Sequence, residues 1–142
     1  MLLDKGEKIF VLIFDAGDEV VANLMKFVVE NGLTAGYFTA IGALRDVTLG
    51  YFNIEKRDYK RIPVKEQVEV LSLMGNIALD EGKPKVHAHI VVGKSDGTAH
   101  GGHLIEAYVR PTLEVILQET PGHLSRKFDP VSGLALIDLS VL

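Results

Sequence analysis

The stretch HAHIVVGKSDGTAHGGH, residues 87–103, holds four of the chain's five histidines and indicates most directly how the chain folds. Side chains alternate between the two faces of a β-strand, so the apolar residues at positions 86, 88, 90 and 92 share one face. His87 and His89 then share the opposite face. Asp96-Gly97 is a turn signal, so the chain should reverse there and return as an antiparallel neighbour.

Short apolar runs of this kind fill most of the chain. They are rich in valine, isoleucine, leucine and aromatic residues, and glycine, proline, aspartate and asparagine separate them. The predicted strands cover 9–14, 36–41, 47–52, 59–64, 68–77, 86–92, 103–109, 113–118 and 134–139. After residue 32 no helix intervenes between them. This order favours an α+β fold: a mainly antiparallel sheet or flattened barrel with one main helix packed on it.

The one long helix predicted lies before these strands. Its apolar residues recur at helical spacing and form a single stripe. They are Val20, Val21, Leu24, Phe27 and Val28. Asp15 or Asp18 can cap its start, and Glu19 suits the positive end of the helix dipole. Gly32 stands where a left-handed C-terminal cap is expected.

Composition limits the possible functions. The 142 residues suit one domain over 1–142, and a net charge of −4 is unlike that of a protein built to coat nucleic acid. There is no cysteine, so disulfides and thiolate metal sites are excluded. The N-terminus lacks the long apolar region of a signal peptide, and no apolar run is long enough for a membrane span. We therefore expect a cytoplasmic protein.

The histidines suggest a metal site. Imidazoles two residues apart on one strand face can lean toward a single ion. A hairpin would bring His103 or His100 beside His87 and His89, and Gly101 and Gly102 would let the backbone approach closely. Three neutral imidazoles with one open position form a typical catalytic zinc site. The alternative is that these histidines are exposed polar residues or part of a subunit contact.

Other polar residues offer weaker signals. Five basic residues lie within 56–65 and could contact phosphates, but acidic residues intersperse them as on an ordinary solvated hairpin. Asp46, Glu69 and Glu106 could serve as an acid or a base. His123 is expected in a separate exposed loop. Neither a nucleophile motif nor a phosphate-binding loop is present.

Several segments together resemble the plants and prokaryotes conserved (PPC) domain family, a domain of unknown function. They are AIGALRDVTLGYFN at 40–53, EVLSLMGNI at 69–77, HAHIVV at 87–92 and GGHLIEAYVRPTLEVIL at 101–117. The resemblance implies a mainly antiparallel sheet with one helix, a homotrimer, and a DNA-binding description inherited from plant relatives. Those relatives grip DNA through a separate AT-hook. This chain has no such Arg-Gly-Arg-Pro segment, and Gln67 replaces an arginine of the plant motif.

The histidine pattern is similar to that of acetolactate decarboxylase, whose His-X-His and Gly-Gly-His segments bind zinc. This resemblance implies that His87, His89 and His103 are the ligands, whereas His100 has no counterpart in the pattern. The remaining catalytic groups of the decarboxylase have no recognisable place in the chain.

Three hypotheses follow. The first is a homotrimeric PPC-domain protein that binds zinc or another divalent transition metal through His87, His89 and His103. The second is a zinc-dependent lyase or hydrolase acting on a small oxygen-rich substrate. The third is DNA binding through three copies of the basic segment 56–65.

Overall fold

The computed structural model describes residues 8–120, 122 and 124–141, and one helix and eight strands account for most of them. The elements are β1 (Ile9–Asp15), α1 (Val20–Glu30), β2 (Gly36–Asn53), β3 (Asp58–Val64), β4 (Val68–Asp80), β5 (Lys83–Gly93), β6 (Ala99–Glu119), β7 (Ser125–Asp129) and β8 (Leu134–Ile137), followed by a 3₁₀ turn at Leu139–Val141. The α+β class is therefore confirmed. His123 lies outside the described residues.

The strands form one mixed sheet in the order β3-β2-β6-β5-β4-β7-β8, with β1 paired to β6. Among the described residues all strand pairings are antiparallel except one short parallel pairing, in which Leu79 and Asp80 of β4 face Ser125 and Arg126 of β7. β2 also pairs with β4, so the sheet curls into a partial ring. The sheet is thus mainly but not purely antiparallel. The sequence also allowed a flattened barrel, and the sheet instead forms only a partial ring.

Two of the strands are longer than the sequence predicted. The separate runs at 36–41 and 47–52 belong to β2, and those at 103–109 and 113–118 belong to β6. The residues between them were interpreted as breaks. Gly42 instead accommodates a register shift inside β2, and the pairing of β2 with β6 shifts at the same place. These irregularities bend the long strands without ending them.

The N-cap of the helix lies beyond both predicted caps, one residue after Asp18 and four after Asp15. Glu19 is the N-cap, and its carboxylate accepts hydrogen bonds from Val21 N at 3.2 Å and Ala22 N at 2.6 Å. Neither predicted residue caps the helix: Asp18 instead accepts a hydrogen bond from the backbone N–H of Asp15. The C-terminal prediction is confirmed, since Gly32 has a φ of +63° just after the helix. No helix of the described segment is long and apolar enough to cross a membrane.

One face of the helix is buried against the sheet. Val20, Leu24 and Val28 are fully buried, and they join an apolar cluster with residues of β2, β4, β5 and β6. The opposite face of the sheet carries uncovered apolar side chains. They line a groove of about 440 Å³, here named the outer groove, and include Val11, Ile13, Ile41, Leu71, Met74 and Ile116.

Candidate metal centre

The hairpin predicted for residues 87–103 places three histidines on one face. His87 and His89 lie on β5. The chain then turns at Gly97, which has a φ of +81°, and returns as β6, which carries His103. In the antiparallel register His89 stands directly opposite His103. The apolar residues that alternate with the histidines along β5, Ala88 and Ile90, are buried on the other face of the sheet. The alternation inferred from the sequence therefore positions the cluster.

The three imidazoles are close enough to share an ion. One nitrogen from each ring lies within 4.8 Å of the chosen nitrogens of the other two. The ring centroids are 4.9 Å apart for His87 and His89, 5.3 Å for His87 and His103, and 5.9 Å for His89 and His103. Nitrogens bound to one tetrahedral zinc would be about 3.4 Å apart, so small side-chain rotations would suffice.

His103 has a buried nitrogen that needs a partner. Its Nδ1 is shielded from solvent and has no hydrogen-bond partner among the described residues. The ring stacks on Tyr59, with centroids 4.6 Å apart and planes 30° apart, so its orientation is restricted. Buried polar atoms in proteins are nearly always satisfied. The orphaned nitrogen and the histidine donor set both fit a borderline-soft divalent metal such as zinc.

The surroundings of His87 and His103 lower their pKa values and so favour the neutral imidazole. Burial, together with the positive charge of Arg126 and the neighbouring histidines, lowers the pKa of His87 to about 4. Burial, followed by the influence of His89, also lowers the pKa of His103. A metal ligand must be a neutral imidazole with a free lone pair. Near neutral pH, His87 and His103 are therefore already neutral and can bind a metal without first losing a proton.

The other predicted candidates lie apart from the cluster. His100 faces Val92 in the strand register, and its Nε2 is 3.3 Å from the Thr98 hydroxyl. His103, and not His100, thus joins the His-X-His pair.

The three carboxylates also fail to reach the cluster. The carboxylate of Glu106 accepts a hydrogen bond from Tyr108 at 2.6 Å, and that of Asp46 pairs with Arg45 at 2.6 Å. Neither these two nor Glu69 is among the described residues that line the space beside the histidines.

Beside the histidines is a hollow of about 750 Å³, here named the histidine hollow. Besides the three histidines, its walls are mainly apolar and aromatic. The principal wall residues are Tyr51, Phe52, Ile54, Tyr59, Met74 and Leu134. The outer groove adjoins the histidine hollow, because Ser72 and Met74 line both.

Two residues near the cluster escaped prediction from the sequence. Tyr59 comes from β3, and no local pattern links it to His87, nearly thirty residues later, or to His103, more than forty residues later. Arg126 comes from β7, a strand that was not predicted. Its guanidinium donates to Asn76 Oδ1 at 2.9 Å and to the Ala135 carbonyl at 3.1 Å. Asn76 stands opposite His87 in the strand register, so Arg126 is held near His87, whose pKa its positive charge lowers.

Together these features define a class: an α+β protein with one helix on a mixed sheet and a cluster of three histidines at a central hairpin. A comparison with known families then shows the family. The chain belongs to the family of the Plants and Prokaryotes Conserved (PCC) domain, whose model matches residues 2–121. The family inferred from the sequence motifs is confirmed.

Solved structures of similar proteins cover nearly the whole chain. A metal-containing protein from Archaeoglobus fulgidus is 38% identical, with a TM-score of 0.86 over 92% of each chain. A plant- and prokaryote-conserved (PPC) protein from Pyrococcus horikoshii is 36% identical, with a TM-score of 0.87 over 92% of this chain and 91% of its own. A candidate DNA-binding protein from Bacteroides thetaiotaomicron is 31% identical, with a TM-score of 0.90 over 93% and 92%.

Two further matches concern larger proteins. Acetolactate decarboxylase from Bacillus subtilis strain 168 shares the fold, with a TM-score of 0.60 at 11% identity, over 89% of this chain and 59% of its own. The bifunctional protein GlmU of Synechococcus sp. (strain JA-3-3Ab) is 30% identical over 120 residues, which are 82% of this chain. The chain spans only 18% of the length of that relative.

Proposed function

We propose that this protein binds a divalent transition metal, preferably zinc, through His87, His89 and His103. The single observation that carries the proposal is the convergence of one nitrogen from each of the three rings within 4.8 Å of the others. The unpartnered Nδ1 of His103 and the lowered pKa of His87 support it. The relative from Archaeoglobus fulgidus, described as metal-containing, supports the same assignment.

Three histidines leave at least one coordination position for another ligand. When bound, a metal ion in such a site supplies Lewis-acid chemistry toward a carbonyl oxygen or a water molecule. The alternative function is therefore a zinc-dependent lyase or hydrolase that acts on a small oxygen-rich substrate. The observation that favours it is the histidine hollow, which gives such a molecule room beside the cluster. The distant decarboxylases indicate only a shared fold.

The test of metal binding is substitution of one ligand. His89→Ala should reduce the affinity for zinc by more than about 100-fold, because a direct ligand contributes at least as much as the groups that orient ligands. Metal content would be measured by elemental analysis of protein purified without a histidine tag.

His100→Ala is the matched control, since His100 lies on the same hairpin outside the cluster and should keep its metal. Unchanged metal content in His89→Ala would refute the site. Circular dichroism of the metal-free variants would show that both remain folded.

We further propose a homotrimer in which each chain is a single domain over residues 1–142, working in the cytoplasm. The trimer is the assembly that the family resemblance implies, and the uncovered apolar side chains of the outer groove support a subunit contact. The absence of cysteine suits a reducing compartment.

DNA binding is the remaining alternative, favoured by relatives described as candidate DNA-binding proteins. The basic segment 56–65 covers the end of the turn after β2 and the whole of β3, and its five basic residues are exposed, so three copies in a trimer could meet phosphates. If so, duplex DNA should bind with an affinity that falls steeply with salt, and Lys60→Glu should weaken binding on all sequences. No binding at low salt, measured by fluorescence anisotropy, would exclude this alternative.

A further inference from the structure

We propose that the histidine hollow binds a small organic anion with an apolar body, whose oxygen-bearing head group faces the three histidines. This inference rests on the proposed metal binding and adds the chemical class of the ligand. Three observations carry it: the size of the hollow, the chemistry of its walls and the charge of the cluster.

The hollow is too large for an ion and a water molecule alone. Its volume is about 750 Å³, whereas one water molecule occupies about 30 Å³ in the liquid. Pockets for small organic ligands range from about 300 to about 1,000 Å³. The space beside the histidines therefore matches an organic molecule of several heavy atoms.

The walls would favour an apolar body. Tyr51 and Ile54 both line the hollow, and although they are large apolar residues they are 64% and 66% exposed. Phe52 and Tyr59 pack edge to face beside them, with centroids 5.0 Å apart, and form a firm aromatic wall. Covering such surface gains about 25 cal/mol per Å² of apolar area removed from water. A hydrocarbon chain or ring would therefore be stabilised there.

The charge of the site selects an anionic head group. Three neutral imidazoles do not neutralise a dication. Among the described residues that line the hollow, there is no aspartate, glutamate, lysine or arginine. A ligand with an anionic oxygen, such as a carboxylate, enolate or hydroxamate, would therefore supply negative charge that the lining residues do not.

The experiment uses the full chain loaded with cobalt(II), a spectroscopic substitute for zinc, and a series of alkyl hydroxamic acids from acetohydroxamic to octanohydroxamic acid. Titrations followed by the visible spectrum of cobalt give each Kd. We expect the Kd to fall about two- to fourfold with each added methylene until the hollow is filled. Metal-free protein should bind none of the series.

Two variants locate the binding surface. Ile54→Asn should leave the Kd of acetohydroxamic acid unchanged and flatten the dependence on chain length, because only the wall has been altered. Val29→Asn is the matched control: Val29 is an apolar residue on helix α1 of comparable exposure, 59% against 66% for Ile54, and does not line the hollow. It should retain the full dependence.

The possible failures are distinguishable. A Kd independent of chain length, with cobalt still bound, overturns the apolar-body inference and leaves metal binding intact. A full dependence in Ile54→Asn overturns the assignment to this hollow. Binding of acetohydroxamic acid but not of longer probes would show that another copy of the chain covers the hollow, which also overturns the inference. Failure of the wild type to bind metal removes both proposals.

Discussion

At the scale of single residues, His87 is both a candidate metal ligand and a half-buried imidazole, and its surroundings keep it neutral. It faces the other two histidines, and burial together with the charge of Arg126 lowers its pKa to about 4. The same environment that makes protonation unfavourable keeps the lone pair available. Arg126 is itself held by Asn76 and the Ala135 carbonyl, so a distant strand helps to keep a candidate ligand neutral.

This lowered pKa predicts how the stability of the metal-free protein depends on pH. In the unfolded chain His87 takes up a proton near its usual pKa of 6.5, whereas in the folded chain it does so near 4. Between these values the unfolded state binds more protons, so the free energy of unfolding falls as the pH falls through this window. Burial lowers the pKa of His103 as well, which adds an effect of the same sign.

The measurement is urea unfolding of metal-free protein between about pH 7 and about pH 4.5, a range that spans most of the interval between the two pKa values. His87→Gln should lose less stability over this range than the wild type does. His100→Gln, outside the cluster, should follow the wild type. Identical slopes for the wild type and His87→Gln would contradict the prediction.

The sequence allowed prediction of the histidine cluster because its geometry is local. The two-residue period of a strand aligns His87 with His89, and the Asp96-Gly97 turn returns His103 to them. Tyr59 and Arg126 could not be placed, because their proximity depends on pairings between strands that are distant in sequence. The choice between His100 and His103 required the register of β5 and β6, which the glycine pair alone did not determine.

At the scale of elements, the long strands show where prediction from the sequence is weakest. Glycine and proline ordinarily end strands, so runs separated by them were counted as separate elements. β2 and β6 instead continue through these residues, because their extensive pairing with each other outweighs the local irregularity. Helix α1 was predictable because its apolar stripe is continuous, and only its N-cap was wrong, at Asp15 or Asp18 in place of Glu19.

Gly42 is the position where β2 most requires glycine. Its φ is +150°, and a Cβ there would lie 2.8 Å from the Cα of Leu113 and would also collide with the carbonyl of Thr112. Gly42→Ala should therefore lower the free energy of unfolding by about 2–4 kcal/mol, from backbone strain and the displacement of β6. Thermal and urea unfolding would measure the loss.

Gly17→Ala is the control that separates these two causes. Gly17 also has a positive φ, +95°, but a Cβ there meets nothing within 4 Å. It should cost only the backbone strain, about 1–2 kcal/mol. Equal losses in the two variants would mean that the approach of β6 to Gly42 contributes nothing.

At the scale of the whole molecule, the two faces of the sheet differ in what covers them. Helix α1 buries one side, whereas the outer groove lies open with apolar side chains in neighbouring strands. In the strand register Val11 stands opposite Ile116, Ile116 opposite Thr39, and Thr39 opposite Met74. This row crosses four strands and ends beside the histidine hollow, so an assembly that covers it would also restrict access to the candidate metal centre.

The proposed trimer predicts that a charge in this row prevents assembly. Ile116 is 51% exposed in the chain, and Ile116→Lys would place an unpaired ammonium group in the proposed subunit contact. We expect the mass of the variant, measured by sedimentation equilibrium at micromolar concentration, to fall from that of three chains to that of one. Val131→Lys changes a residue that is 79% exposed and outside the outer groove, so it should remain trimeric.

A trimeric Ile116→Lys would exclude the outer groove as the contact, and a monomeric wild type would exclude the trimer itself. If instead both variants behave as expected, the zinc affinity of the Ile116→Lys monomer shows whether the three histidines of one chain are sufficient for binding.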